Sequence, residues 1–229
     1  MVAIDGPAGA GKSTVARELA SRHGLTYIDS GAMYRCVALS CRRANVDPSE
    51  PGAAGSLARA IRIEFQTSGE SQLVFLNGDD VTGAIRTDEI SRLASVVASI
   101  PAVRKAMVSL QREMGSSRRV VMEGRDIGTV VFPDAKVKVF LTASLSERAR
   151  RRGGDSARGE GAPADEAQIE QQIQERDERD SSRAVSPLRP AADAVQLNTD
   201  GLSVEEVVEK ISGLLPTDVR DGSEGSEDE

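Results

Sequence analysis

Short apolar runs bounded by turn residues recur along the chain at Val2–Asp5, Thr26–Asp29, Arg119–Glu123, Lys136–Leu141 and Ala194–Asn198. Runs of this kind predict parallel β-strands. Helical spacing follows most of them, over Ser13–His23, Ala32–Ala44, Leu145–Arg152 and Ser203–Leu214. The last opens with Ser203 and Glu206 at the spacing of a capping box. Strands that alternate with helices predict an α/β fold, a doubly wound parallel sheet of five strands with ligands outside the strand C-termini.

One block breaks the rhythm. Ile61–Thr67 and Gln72–Leu76 alternate as antiparallel strands around the turn Ser68-Gly69-Glu70-Ser71, with Asp80–Thr82 as a third strand. Two helical segments follow, near Thr87–Ser99 and Pro101–Met114. This α+β insert is too small to stand alone and is expected to hinge on the main sheet. Gly153–Ala164, rich in Gly, Ala and charge, reads as a mobile loop, and the apolar-poor Asp218–Glu229 as a disordered tail.

Between the first strand and the first helix lies Gly6-Pro7-Ala8-Gly9-Ala10-Gly11-Lys12-Ser13-Thr14. Two glycines with four residues between them, then Lys and a hydroxyl, in a strand-to-helix turn, make the pattern of a P-loop. Glycines let backbone N–H groups turn inward, and the helix N-terminus behind them adds positive potential where a polyphosphate would lie. Lys12 is placed to reach the outer phosphates and the Ser13 hydroxyl to ligate magnesium. The chain is therefore expected to bind a nucleoside triphosphate through Gly6 to Thr14.

Composition narrows the rest. The 229 residues allow one good core with a small insertion. Of the net charge of −7, most sits between Thr217 and Glu229, which hold six acidic residues and one Arg. A nearly neutral body with 3 % aromatic residues argues against a nucleic-acid partner. Cys36 and Cys41, five apart on one helix, are not expected to pair, which suits a reduced cytoplasmic protein. No leader or long apolar span is read, so no membrane partner is expected. His23, the one histidine, reads as a surface residue closing the first helix.

A P-loop alone names no reaction, so the second substrate must be sought elsewhere. Arg35, inside the helix after Tyr27-Ile28-Asp29-Ser30-Gly31, and Arg125, in the turn after the third strand, are both expected at the sheet edge that carries the P-loop. Each can instead cap a helix or lie at the surface. Glu123 and Asp5 end apolar strands, where each can hold water around magnesium or simply cap a loop. Arg176, Asp180 and Arg183 fall on one face if Glu175–Arg183 is helical. Mixed-charge helices are commonly solvated faces with internal ion pairs, and this one can also swing arginines over phosphates.

Taken together, Gly6–Thr14, Asp29-Ser30-Gly31-Ala32-Met33-Tyr34-Arg35, the run Gly124-Arg125-Asp126-Ile127-Gly128-Thr129-Val130-Val131-Phe132-Pro133-Asp134-Ala135 and Arg176-Asp177-Glu178-Arg179-Asp180 resemble the bacterial cytidylate (CMP) kinases, of the P-loop nucleoside-monophosphate kinase family. The resemblance implies ATP-dependent phosphorylation of CMP or dCMP with magnesium, by a monomer. It implies one kinase domain over residues 1–216, with core 1–44 and 115–216, a monophosphate-binding insert near 45–114 and a lid near 150–170. It also implies that Arg35 and Arg125 hold the acceptor phosphate and that Ser30 lies beside the acceptor. Ser95, Arg104 and Asp126 would read cytosine, Arg176 and Asp180 would contact the sugar, and Arg183 would approach the phosphates during transfer. Lys12, Arg125, Arg176 and Arg183 would be the catalytic cations. Gly153-Gly154 and the Ala/Gly-rich stretch depart from the family's more regular lid, and the acidic tail matches no family feature. The residues themselves also admit another small-molecule P-loop kinase or a nucleotide-hydrolysing switch, although no guanine-specifying NKxD motif is present.

Overall fold

A computed structural model describes residues 1–68, 71–116, 119–156 and 165–217. The chain divides into two compact units. The first, residues 1–27, 117–182 and 186–229, carries the strands β1 (Val2–Asp5), β6 (Val120–Gly124), β7 (Val137–Thr142) and β8 (Val195–Asn198). With β2 (Thr26–Asp29) they form a five-stranded sheet in the order β2-β6-β1-β7-β8. The β1–β6, β1–β7 and β7–β8 ladders are parallel. All of β1 and β6 is buried, which is why these strands read as unbroken apolar runs.

The order reverses direction at β1, so the crevice beyond its C-terminal end is where a doubly wound sheet takes a ligand. Asp5 pairs with Gly124 across the β1–β6 ladder. The P-loop and the Arg125 turn therefore leave neighbouring strands at the same level. Helix α1 (Lys12–His23) follows the P-loop, and α8 (Val204–Ser212) packs on it. Val15, Leu19, Val121, Val139, Val207 and Ile211 share one apolar cluster. Helices α6 (Leu145–Ser156) and α7 (Glu166–Ser181) pack together through Ala149, Ile169 and Ile173.

The second unit, residues 28–116 and 183–185, holds α2 (Ser30–Arg43), α3 (Pro51–Ala60), the antiparallel sheet β3 (Ile63–Ser68), β4 (Ser71–Leu76) and β5 (Asp79–Asp80), then α4 (Asp88–Val97) and α5 (Pro101–Met114). Its core runs from Met33 and Val37 on α2 through Ile90 on α4 to Met107 on α5. The unit reaches back to Ile28, whereas the family resemblance puts the start of the insert near residue 45, because α2 packs on α4 and α3. Helix α3 escapes the sequence pattern altogether. Its two glycines weaken helix propensity, yet Gly55 is there for packing, since a Cβ on it would lie 2.7 Å from Ala102 Cβ on α5.

One other expectation changes. His23 is 9 % exposed rather than a surface residue. The end of α1 is covered where α8 packs on it, and His23 Nε2 meets Ser212 Oγ at 2.7 Å. Residues 127–131 form a π-helical turn, with Val131 N–H reaching Asp126 O and Phe132 N–H reaching Ile127 O. Gly69 and Glu70 of the expected hairpin turn, residues 157–164 of the expected mobile loop and the tail from 218 lie outside the described residues. No single helix among the described residues is long and apolar enough to cross a membrane.

The capping box read from the sequence is present at α8, where Ser203 Oγ accepts from Glu206 N–H and Glu206 Oε2 from Ser203 N–H. Replacing Ser203 with Ala is expected to lower the unfolding free energy by about 1 kcal/mol, read from urea titration. A loss under about 0.3 kcal/mol would mean that packing of α8 on α1 makes the cap redundant.

Candidate active site

Gly6, Gly9 and Gly11 adopt φ of +148°, +78° and +86°, conformations that L side chains rarely take. The first also passes so close to β7 that a Cβ would lie 2.1 Å from Leu141 O. Gly11 is the N-cap of α1 and offers no side-chain cap, so the first amides of the helix have no side-chain acceptor at that position. The turn is thus shaped as the P-loop pattern requires. Lys12 folds back to donate from Nζ to Pro7 O at 2.7 Å and is only 5 % exposed. Ser13 lies half-buried in the first turn of α1, and Thr14 is exposed.

The Lys12 ammonium is pushed down to about 7, chiefly by burial and then by the like charges of Arg125 and Arg176, while Glu123 and Asp5 act the other way. Two other cations singled out by sequence, Arg125 and Arg176, therefore act on Lys12 within the first unit. Arg125 donates from Nε to Asp180 Oδ2 at 2.9 Å, and Asp180 is 2 % exposed. Glu123, at the end of β6, accepts a hydrogen bond from Tyr27 Oη at 3.0 Å. Asp5 takes the loop-capping role. Its Oδ1 accepts from Ile127 N–H at 2.8 Å and its Oδ2 from Gly128 N–H at 2.7 Å. Burial raises its carboxyl to about 6 against the pull of those two amides.

Helix α7 is tied down at a second carboxylate that the sequence reading did not single out. Asp177 accepts from Arg148 on α6 and lies 3.4 Å from Ala8 N in the P-loop. Arg148 also donates to Ala8 O at 3.2 Å and to Ala143 O at 3.1 Å. Its backbone packs so tightly on Gly9 that a Cβ there would come within 3.0 Å of it. Arg151, one turn on, donates to Glu147 and to both Oγ1 and O of Thr199, with Nη1 3.4 Å from where a Gly11 Cβ would sit. No local pattern marks Arg148 or Asp177, because each finds its partners across long sequence separations.

In the second unit Asp29 caps α2 by accepting from Ala32 N–H and pairs with Arg35 at 2.7 Å. Burial alone would raise its carboxyl, but Arg35 and the capping amide outweigh burial and hold it below the usual range. Ser30 and Ser95 are buried. Arg104, 2 % exposed, donates to Ala98 O and stands 5.5 Å from the centre of the Tyr34 ring, within cation–π range. Arg183 does not continue the face of Arg176 and Asp180. Helix α7 ends at Ser181 with Ser182 as C-cap, and Arg183 belongs to the second unit. Two consecutive serines are weak helix formers, and Asp180 O, released from the helix, accepts from Leu188 N–H instead.

The displaced titration of Lys12 has a defined sign. The unfolded chain keeps its proton up to the ordinary value of 10.5, the folded ligand-free protein only to about 7. Between these values the unfolded state binds more protons, so stability rises with pH. From pH 7 to 8.5 the unfolding free energy of the ligand-free protein is expected to climb by up to about 1.4 kcal/mol per pH unit relative to Lys12→Met. Parallel profiles for the two proteins in urea titrations would remove the charge crowding inferred here.

The sequence model of the cytidylate kinase family matches residues 2–217. A cytidylate kinase of Solibacter usitatus is 50 % identical over 99 % of this chain and 96 % of its own length. One of Pelotomaculum thermopropionicum is 52 % identical over 92 % and 93 %. A bifunctional pantoate ligase/cytidylate kinase of Prochlorococcus marinus is 52 % identical over 96 % of this chain, which spans only 45 % of that longer protein. Among solved structures, a shikimate kinase of Acinetobacter baumannii aligns at 16 % identity and a TM-score of 0.46, covering 93 % of this chain and 90 % of that one. Matched from residue 2 to residue 217 and about half identical to relatives of nearly its own length, the chain belongs to the cytidylate kinase family.

Proposed function

We propose that the protein transfers the γ-phosphoryl group of ATP to CMP or dCMP, giving ADP and CDP or dCDP. The observation that carries this reading is the mutual electrostatic pressure of Lys12, Arg125 and Arg176 beside the P-loop. Buried like charges are costly unless an anion joins them, and two phosphorylated substrates supply it. We assign the enzyme to pyrimidine nucleotide metabolism in the cytoplasm, as a monomer without nucleic-acid or membrane partners.

The acceptor is a phosphate oxygen, anionic at pH 7, so no general base is required. The obstacle is repulsion and alignment, which positioned cations relieve. The backbone of Gly6, Pro7, Ala8, Gly9, Ala10, Gly11, Lys12, Ser13 and Thr14 would cradle the ATP phosphates. Lys12, Arg125, Arg176 and Arg183 would offset charge on the group in flight. Ser13 Oγ and, through water, the Glu123 carboxylate are hard oxygen donors suited to magnesium. When bound, that ion would neutralise charge on the phosphate oxygens. Water must be kept from the reacting group, a task we assign to the insert at 45–114 and the lid at 150–170.

On the acceptor, Arg35 and Arg125 would hold the phosphate with Ser30 beside it, and Arg176 and Asp180 would meet the sugar hydroxyls. Ser95, Arg104 and Asp126 would read the base. Cytosine presents two acceptors and an amine donor, which suit an Arg and a carboxylate; uracil reverses donor and acceptor at N3 and C4. Mispairing of that kind can cost several orders of magnitude in rate.

ADP release measured across CMP, dCMP, UMP, AMP, GMP and dTMP tests the reading. CMP and dCMP are expected to be turned over fastest. ATP hydrolysis just as fast with no acceptor present would sink the proposal in favour of a switch. Arg125→Lys keeps the charge but loses the bidentate fork. It is expected to lose about 2–3 kcal/mol of transition-state stabilisation in kcat/KM, and near-normal turnover would remove the assigned role. Asp126→Ala should narrow the preference for CMP over UMP; an unchanged ratio would take Asp126 out of the base pocket.

A further inference from the structure

Asp5 belongs to the strand that feeds the P-loop, yet its carboxylate is spent on the opposite half of the site. Both oxygens accept backbone N–H groups at the start of the 127–131 turn, at 2.8 and 2.7 Å. That turn follows directly on Arg125 and Asp126. From beneath, the stem of Lys138 on β7 packs on Gly128, where a Cβ would lie 3.3 Å from the lysine carbons and 3.4 Å from Asp5 Oδ2. Lys138 Nζ then ties the exit of the turn, donating to Pro133 O and to Asp193. Val130 and Val131 N–H close on Asp126 O and Phe132 N–H on Ile127 O, and the two braces, Asp5 and Lys138, hold the turn so formed against the sheet. Asp5 is 5 % exposed, and a charge is kept at such a depth only where groups around it satisfy it.

We propose that Asp5 is a positioning residue. Through the amides of Ile127 and Gly128 it fixes the backbone that presents Asp126 and Arg125, and so sets discrimination between pyrimidines without touching the base. This rests on the base-reading role assigned to Asp126 under the proposed function.

Asp5→Asn tests it, because an Asn oxygen can accept one of the two amides while its NH2 opposes the other. In hydrogen–deuterium exchange of the ligand-free protein, peptides covering 125–133 should exchange about tenfold faster. Those from α8 and α5 should be unchanged. In steady-state assays KM for CMP should rise and the CMP-to-UMP ratio of kcat/KM should fall at least about fivefold, with KM for ATP within about twofold. The double variant Asp5→Asn/Asp126→Ala should be no less selective than Asp126→Ala alone. Gly128→Ala crowds the same clamp from its other side and should reproduce the local exchange if Asp5→Asn folds poorly. Exchange that stays normal at 125–133, or rises equally along the whole chain, overturns the proposal. Unaltered selectivity in Asp5→Asn where Asp126→Ala does lower it overturns it as well. If Asp126→Ala leaves selectivity intact, the base-reading role fails, and with it the route to discrimination; the exchange measurement then separates that failure from failure of the clamp.

Discussion

Like charges brought together away from water dominate this molecule. Lys12, Arg125 and Arg176 come from the P-loop helix, the end of β6 and α7, and their repulsion together with burial brings the ammonium down to about 7. Much of the first unit can be understood as the scaffold needed to hold them there. Level strand ends bring the P-loop and the Arg125 turn side by side. Glu123, Asp5, Asp177 and Asp180 supply buried or half-buried counter-charge around the group. Each carboxylate also binds a structural partner, so the negative charge that relieves the cations doubles as mortar between elements.

Two carboxylates three residues apart make α7 a cross-brace. Asp177 reaches α6 and the P-loop, and Asp180 reaches Arg125 beside β6. Residues i and i+3 share a helix face, so one helix side meets both the nucleotide-facing turn and the strand end. Arg176 rides on the same helix. Its position relative to Lys12 is thereby tied to the shape of Ala8 and Gly9, where Arg148 packs against the loop backbone.

What could be read from the sequence follows from what is local. Strand–turn–helix order around Gly6–Thr14, the capping spacing of Ser203 and Glu206 and the alternation of Ile63 to Leu76 are each settled within a few residues, and all three are present. Helix α3 was hidden because Gly52 and Gly55 lower local propensity, while Gly55 serves close approach to α5. The π-helical turn was hidden because its cap, Asp5, lies more than a hundred residues upstream. His23 was misjudged because its cover comes from α8 at the far end of the chain. Arg183 was misplaced by extending a helix past Ser181-Ser182. Long-range partners decide the first three cases, about which periodicity carries no information; the fourth turns on a local stop at two weak helix formers.

Asp180 against Arg125 and Asp29 against Arg35 have one further implication. Both guanidinium groups are already oriented and neutralised, each by a carboxylate of its own unit. A guanidinium carries five N–H donors, and each of these ion pairs engages one of them. The carboxylates therefore fix the two forks in place without exhausting them. If the arginines hold a phosphate as proposed, each would meet it already aimed, and the anion would share the fork with the carboxylate that steadies it.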